Sequence, residues 1–296
     1  MVTPEEKPVP TVTKKDIVGA LKSAGIKKGD VMMVHSSLSS FGHVEGGADA
    51  VVDALIEAVG KKGTVIVPTL TKTYVDGAAS GLAFNPKTTP SRVGMITETL
   101  RQRPGSVRSL HPTHSVTAVG QMAKELMEGH WPGTTFSITG PYGRYVKAGV
   151  KIVFLGVPPT CNTTLHAVEE WLGLPYMAES QAVLEKADGG REVVKVTQAP
   201  LDHRDFYSKT GKIHDILEKA GAVTTVKLND TVIKVLPGRT MVRVVGEAEL
   251  KSPGVLLCDR PECKFCQEGR QRILQKQGEI RRNFERLKRE GYTDIA

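Results

Sequence analysis

The residues best suited to chemistry stand close together in Asn162-Thr163-Thr164-Leu165-His166-Ala167-Val168-Glu169-Glu170. His166 and Glu169 are three apart, so on a helix they share a face and can touch. A carboxylate beside an imidazole fixes its tautomer and stabilises the imidazolium, which suits a general base working near neutral pH. Glu170 points elsewhere on the same helix and is read as solvated, where it can still meet a cationic substrate. His35-Ser36-Ser37-Leu38 opens a loop running to Gly46-Gly47, and hydroxyls and glycine amides beside a helix N-terminus can hold a phosphate or a carbonyl oxygen. His111-Pro112-Thr113-His114-Ser115-Val116 places two histidines and a serine in a turn, either as a catalytic or metal-binding set or as loop formers that position Ser115. Cys258, Cys263 and Cys266, spaced x4 and x2, can supply three of the four thiolates of a structural zinc site. The fourth ligand would come from Cys161, His203, His214 or Asp259; otherwise the three are reduced thiols.

The elements that must position these groups follow from the apolar pattern. Ile17, Ala20, Leu21 and Ala24 recur at helical spacing from Val12 to Ala24, with Thr13 as a cap and Gly25 as a stop. Val31 to Val34 reads as a short buried strand, Ala48 to Val59 as a helix, and Gly63 to Pro68 as the next strand. That order predicts a crossover unit in a parallel or mixed sheet. Residues 71–90 are turn-rich and form a long loop, and long loops inside compact domains are often functional. A helix over 91–103 follows. Strand 152–157 then leads through a short polar loop into the His166 helix. Beyond residue 180 the alternation is strand-like at Val193–Thr197, Val223–Leu228, Thr231–Val235 and Met241–Gly246. The expectation is an α/β protein with a mixed sheet and a β-rich later portion: a single domain over 1–257, then a Cys-containing segment and basic helix over 258–296.

Composition narrows the class. The chain has 296 residues, 40% of them hydrophobic and 24% charged, as in ordinary globular proteins. No apolar run approaches the ~18 residues of a membrane helix, and the first ten residues lack the basic and apolar regions of a signal peptide, so a cytoplasmic protein without a membrane partner is expected. The formal charge is +8, with an excess of Lys and Arg from Arg270 onward. A solvated helix of mixed charge explains that excess. Nucleic acid is not the expected partner, because aromatic content is low and no nucleic-acid-binding signature accompanies the basic residues. A polyanionic small molecule such as coenzyme A would profit from the same surface.

Taken in order, the motifs resemble the aminoglycoside 3-N-acetyltransferases. The matching segments are Val34-His35-Ser36-Ser37-Leu38 through Gly46-Gly47, Val67-Pro68-Thr69, Pro90-Ser91-Arg92-Val93-Gly94, Arg108 through Val116, Gly140-Pro141-Tyr142-Gly143, and Leu155-Gly156-Val157 through His166 with Glu169. The resemblance implies the layered α/β fold of the antibiotic N-acetyltransferases, and acetyl transfer from acetyl-coenzyme A to a primary amine through a ternary complex. It makes His166 the base and Glu169 its orienting partner. It puts the coenzyme's pantetheine and thioester at His35, Ser36, Ser37 and Leu38 and at Ser115 and Val116, and it puts acceptor contacts at Asn85 and Glu170. Asn85 stands where the family often has an Asp.

Two other functions compete. One is a hydrolase with Cys161 or Ser115 as nucleophile and His166 or His114 as base, although no Gly-x-Ser-x-Gly elbow surrounds either candidate. The other is a zinc- or RNA-binding accessory protein built on a related fold. The acceptor amine is not legible, and a homodimer stays open.

Overall fold

A computed structural model describes residues 11–71, 73, 82–133, 135–198 and 212–294. The elements in chain order begin with β1 (Thr11–Val12), α1 (Lys14–Ser23), β2 (Val31–Ser36), β3 (His43–Val44), α2 (Gly47–Val59), β4 (Thr64–Pro68) and α3 (Met95–Gln102). They continue with β5 (Val107–Arg108), β6 (Val116–Gly120), α4 (Ala123–Met127), α5 (Pro141–Lys147), β7 (Lys151–Leu155) and α6 (Thr164–Leu172). The chain then runs through β8 (Ala178–Glu185), β9 (Arg191–Gln198), α7 (Lys212–Lys219), β10 (Thr224–Leu228), β11 (Thr231–Pro237), α8 (Gly238–Lys251), α9 (Lys264–Gln275) and α10 (Gln277–Arg289).

Seven strands form one mixed sheet in the order β10-β11-β7-β2-β4-β6-β5. The central three, β7, β2 and β4, are parallel, and the flanking strands pair antiparallel. Side chains alternate across a strand. Met32 and Val34 of β2 therefore join Val65 and Val67 in a core beneath α1 and α2. Met33, Ile66, Ile152 and Phe154 join a second core beneath α5, α6, α8 and α10. A central strand buried on both faces explains why Val31-Met32-Met33-Val34 is continuously apolar. The predicted crossover is present: β2 and β4 are adjacent and parallel, with α2 between them in sequence. Thr13 caps α1 in a reciprocal box with Asp16.

One expectation changes in the later portion. β9 covers the expected strand at Val193–Thr197 and pairs antiparallel with β8, a strand not foreseen, while β10 and β11 cover the next two expected strands and extend the main sheet. Met241–Gly246, however, lies inside α8. Its apolar residues Met241, Val242, Val244 and Val245 also satisfy helical spacing, and Pro237 just before the helix suits a helix start rather than a central strand. In the C-terminal segment, Cys266, Ile273, Ile280, Phe284 and Leu287 belong to the same buried cluster as α6 and α8. Gly246 of α8 permits this, since a Cβ there would fall 2.2 Å from the Phe284 ring. Among the described residues no helix is long and apolar enough to cross a membrane.

Candidate active site

The carboxyl ends of β2, β4 and β7 open onto one crevice, the usual ligand position in an open parallel sheet whose connections diverge from a central strand. Each strand contributes to a cavity of ≈ 120 Å³ there. His35 and Ser36 end β2, Pro68 ends β4 and Leu70 follows it, and Val157, Cys161 and Thr163 follow β7. Two polar atoms in this region, His35 Nε2 and Ser36 Oγ, are buried without a protein partner. Burial holds His35 neutral, with its pKa lowered to about 4, and its ring stacks on Phe154 at 5.5 Å. Ser37 and Leu38 sit at the loop's turn: the Ser37 amide donates to Leu155 O at 3.0 Å, and its hydroxyl pairs with Ser39. Gly156 (φ +64°) lets the post-β7 loop touch this turn, because a Cβ there would lie 1.7 Å from Ser40 Oγ.

The same loop after β7 enters α6, whose first turns carry His166 and Glu169. Their side chains meet at 2.8 Å, His166 Nδ1 to Glu169 Oε2. An ionised carboxylate only accepts, so Nδ1 carries the proton and the ring's lone pair is on Nε2. Tyr176 donates to the other oxygen, Oε1, at 3.1 Å. Glu169 is fully buried, whereas 16% of the His166 side chain reaches solvent. A carboxylate deep in the protein needs such donors, since its desolvation otherwise costs several kcal/mol. Neither His166 nor Glu169 lines the cavity itself; Thr163, three residues earlier, does.

Around the imidazole lie Phe136, at 5.8 Å between ring centroids, and beyond it His114. Burial drives the His114 pKa down to about 3, with the neighbouring His166 and His130 adding to it. His111 and His130 are neutral for the same reason, stacked at 4.6 Å. His111 Nδ1 accepts from the amides of Thr113 and His114, and its Nε2 meets Thr135 Oγ1 at 2.9 Å. These histidines hold the turn together and are not arranged as metal ligands. Glu249 is also buried nearby. Burial pushes its pKa up to about 7, the Gly254 amide opposes that shift, and the charge of Glu169 reinforces it.

The other expected site residues lie in varied surroundings. Ser115 is fully buried: its hydroxyl donates to Thr69 O at 2.7 Å and accepts from Arg108 Nε at 3.0 Å, while the Val116 amide donates to Ser109 Oγ. Both therefore brace the turn from inside. Neither lines the cavity, and Ser115 has no histidine partner for nucleophilic work. Cys161 is exposed, and burial of its sulfur, partly offset by a hydrogen bond from Thr160, pushes the thiol up rather than toward a thiolate. The hydrolase reading thus lacks an activated nucleophile. Glu170 is not solvated: it is half-buried, with Oε2 lacking a partner and its carboxyl raised by burial.

Asn85 lines a separate cavity of ≈ 580 Å³ with Glu185, Leu110 and Trp131. Its Nδ2 donates to Glu185 Oε1 at 2.7 Å. Sequence reasoning missed Glu185, Tyr176, Phe136 and Glu249, because each approaches the site from a distant element with no fixed spacing to the motifs. Cys258, Cys263 and Cys266 do converge, their sulfurs all within 4.8 Å of one another. Of the proposed fourth ligands, Asp259 is engaged by Lys212 and Arg270, His214 by Lys234 and Glu218, and Cys161 lies in the strand-end cavity. His203 and part of the 71–90 loop lie outside the described residues. Some basic residues of this segment pair with acids one turn away, Arg272 with Glu268, Lys276 with Glu279 and Lys288 with Glu285, in keeping with a solvated mixed-charge surface.

The sequence profile described as aminoglycoside 3-N-acetyltransferase matches residues 33–248. Aminoglycoside N(3)-acetyltransferase III of Salmonella sp is 39% identical over 177 residues, 55% of this chain and 62% of that protein, so the chain spans about six tenths of this relative's length. The solved aminoglycoside acetyltransferase AAC(3)-IVa apoenzyme superposes with a TM-score of 0.77 at 24% identity, over 90% of this chain and 99% of that one. AAC-IIIb, solved as a binary complex with CoASH, gives 0.72 at 22% identity over 82% and 98%. At these identities the two structures establish the shared layered fold.

Proposed function

The chain belongs to the aminoglycoside 3-N-acetyltransferase family, and on that premise we propose that it transfers the acetyl group of acetyl-coenzyme A to a primary amine, an aminoglycoside 3-amino group being the leading acceptor. The observation that carries this reading is the buried Glu169 carboxylate set on His166 Nδ1, at the helix that leaves the strand-end crevice. The relative solved with CoASH supports the choice of cosubstrate.

In this mechanism the acceptor's ammonium first loses a proton, because a protonated amine has no lone pair to attack with. His166 Nε2 accepts the proton as the nitrogen attacks the thioester carbonyl. Glu169 carries the developing imidazolium charge, and Tyr176 keeps the carboxylate aimed. A carbon–nitrogen bond forms, the carbon–sulfur bond breaks, and the departing thiolate takes the proton held by His166, so coenzyme A leaves as a thiol and the imidazole returns neutral. The thioester end of the coenzyme is assigned to the crevice at His35, Ser36, Ser37 and Leu38, where His35 Nε2 and Ser36 Oγ supply unsatisfied polar atoms. Glu185, beside Asn85, and the half-buried Glu170 supply negative charge for a cationic acceptor. Ser115 and Val116 act by bracing the turn.

The test is a panel of aminoglycosides and simple amines assayed for thiol release from acetyl-coenzyme A. The expected result is turnover with at least one aminoglycoside, lost in His166→Gln by about 10²- to 10⁴-fold while acetyl-coenzyme A still raises the melting temperature. Full turnover in that variant, or no thermal shift with acetyl-coenzyme A in the parent chain, overturns the proposal.

A further inference from the structure

The strap between α8 and α9 carries chemistry that acetyl transfer does not use. Cys258 lies on the strap, Cys263 is the N-cap residue of α9, and Cys266 is in that helix's first turn. Cys258 and Cys266 are buried and Cys263 is half-exposed, so the cluster has two fixed sulfurs and one at an entry point. Cys263 and Cys266, two residues apart at the start of α9, place their sulfurs beside that of Cys258, at the spacing with which paired cysteines grip one metal ion. Tetrahedral zinc with sulfur ligands at about 2.3 Å needs sulfurs roughly 3.8 Å apart. The three here, all within 4.8 Å of each other, need only a small contraction, which the half-exposed Cys263 can make by a rotamer change.

We propose that Cys258, Cys263 and Cys266 bind a zinc ion through three thiolates, with water in the fourth position. Binding displaces three protons from the thiols, and the resulting site carries one net negative charge. Arg270 stands ready to offset it: its guanidinium holds the carbonyls of Leu257 and Cys258 and the Asp259 carboxylate. An iron–sulfur cluster would need a fourth cysteine, and among the described residues the remaining one, Cys161, lies in the strand-end cavity. Soft thiolates on a half-exposed rim favour zinc over magnesium or calcium. The metal fixes the strap against the site, because Gly269 of α9 packs on Leu257 and Tyr176, and Tyr176 holds Glu169.

The full-length chain, purified under reducing conditions and equilibrated with zinc, is expected to retain about one metal per chain after gel filtration, by elemental analysis. Thiol-blocking reagent should release that metal, and cobalt(II) in its place should show an intense thiolate-to-metal charge-transfer band. Cys263→Ser, at the tolerant rim position, should lose retention and the cobalt band while staying folded by circular dichroism. Cys161→Ser should keep both. Failure of the reduced, folded parent chain to retain zinc overturns the proposal, as does undiminished retention in Cys263→Ser. A disulfide among these cysteines that, once reduced, leaves thiols unable to take up zinc also overturns it.

Discussion

Glu169→Gln separates charge from shape at the centre of the site. The glutamine occupies nearly the same volume, and its carbonyl oxygen can still accept from His166 Nδ1, now 2.8 Å from a carboxylate oxygen. What disappears is the negative charge facing the imidazolium as it forms. A charge-assisted hydrogen bond is worth roughly twice a neutral one. A full charge pair near 4 Å contributes about 4 kcal/mol at an effective dielectric of 20, which sets an upper bound. The rate should therefore fall by the equivalent of about 2–4 kcal/mol, roughly 30- to 1,000-fold in kcat. KM for acetyl-coenzyme A should stay put. Stability should hold or rise, because a fully buried carboxylate has been replaced by a neutral amide. Steady-state thiol release and a urea melt measure both quantities on one preparation. A kcat within about threefold of the parent refutes the base assignment, and rate and stability falling together refutes the claim that the carboxylate acts through its charge. Tyr176→Phe gives a graded control: losing one hydrogen bond to Oε1 should cost about 1 kcal/mol, some fivefold in rate.

Gly156→Ala should destabilise the protein by about 2–4 kcal/mol, combining left-handed strain with overpacking against Ser40, and a melting temperature unchanged from the parent would contradict the close approach of the two loops. Stability should drop between pH 7 and pH 5. His35, His114 and His130 have folded pKa values near 4, 3 and 4, below the unfolded value near 6.5. Their contribution is thus complete above about pH 6.5 and lost as pH falls toward the folded values, by about 2 kcal/mol for each at pH 5. Urea midpoints that match at the two pH values would show that these rings protonate without penalty. Thr13→Ala should cost about 1 kcal/mol by removing the reciprocal cap with Asp16, visible as a lower denaturation midpoint with an unchanged slope.

Local signals were legible from the sequence where one element decides the outcome. Thr13 before an amphipathic run marks a cap, the apolar runs at 31–34 and 63–68 mark buried strands, and the three-residue spacing of His166 and Glu169 predicts their contact. Met241–Gly246 misled because four apolar residues around one Arg satisfy both periods, and only packing on Phe284 and the sheet selects the helix. Tyr176, Glu185 and Glu249 were invisible because their roles depend on tertiary approach rather than spacing. Ser115 shows the converse: a hydroxyl in a matching motif is drawn inward by Thr69 and Arg108, whose guanidinium bonds the carbonyls of Thr69, Thr89 and Pro86 and lies over Phe84.

Asn283 of α10 donates to the carbonyl of Leu172, the last residue of α6, across 111 positions of chain. Helix α6 consequently cannot acquire its finished surroundings while a ribosome is still holding the later sequence. His166 and Glu169 are translated early and set late, because closing so long a loop must wait for the chain that supplies Asn283.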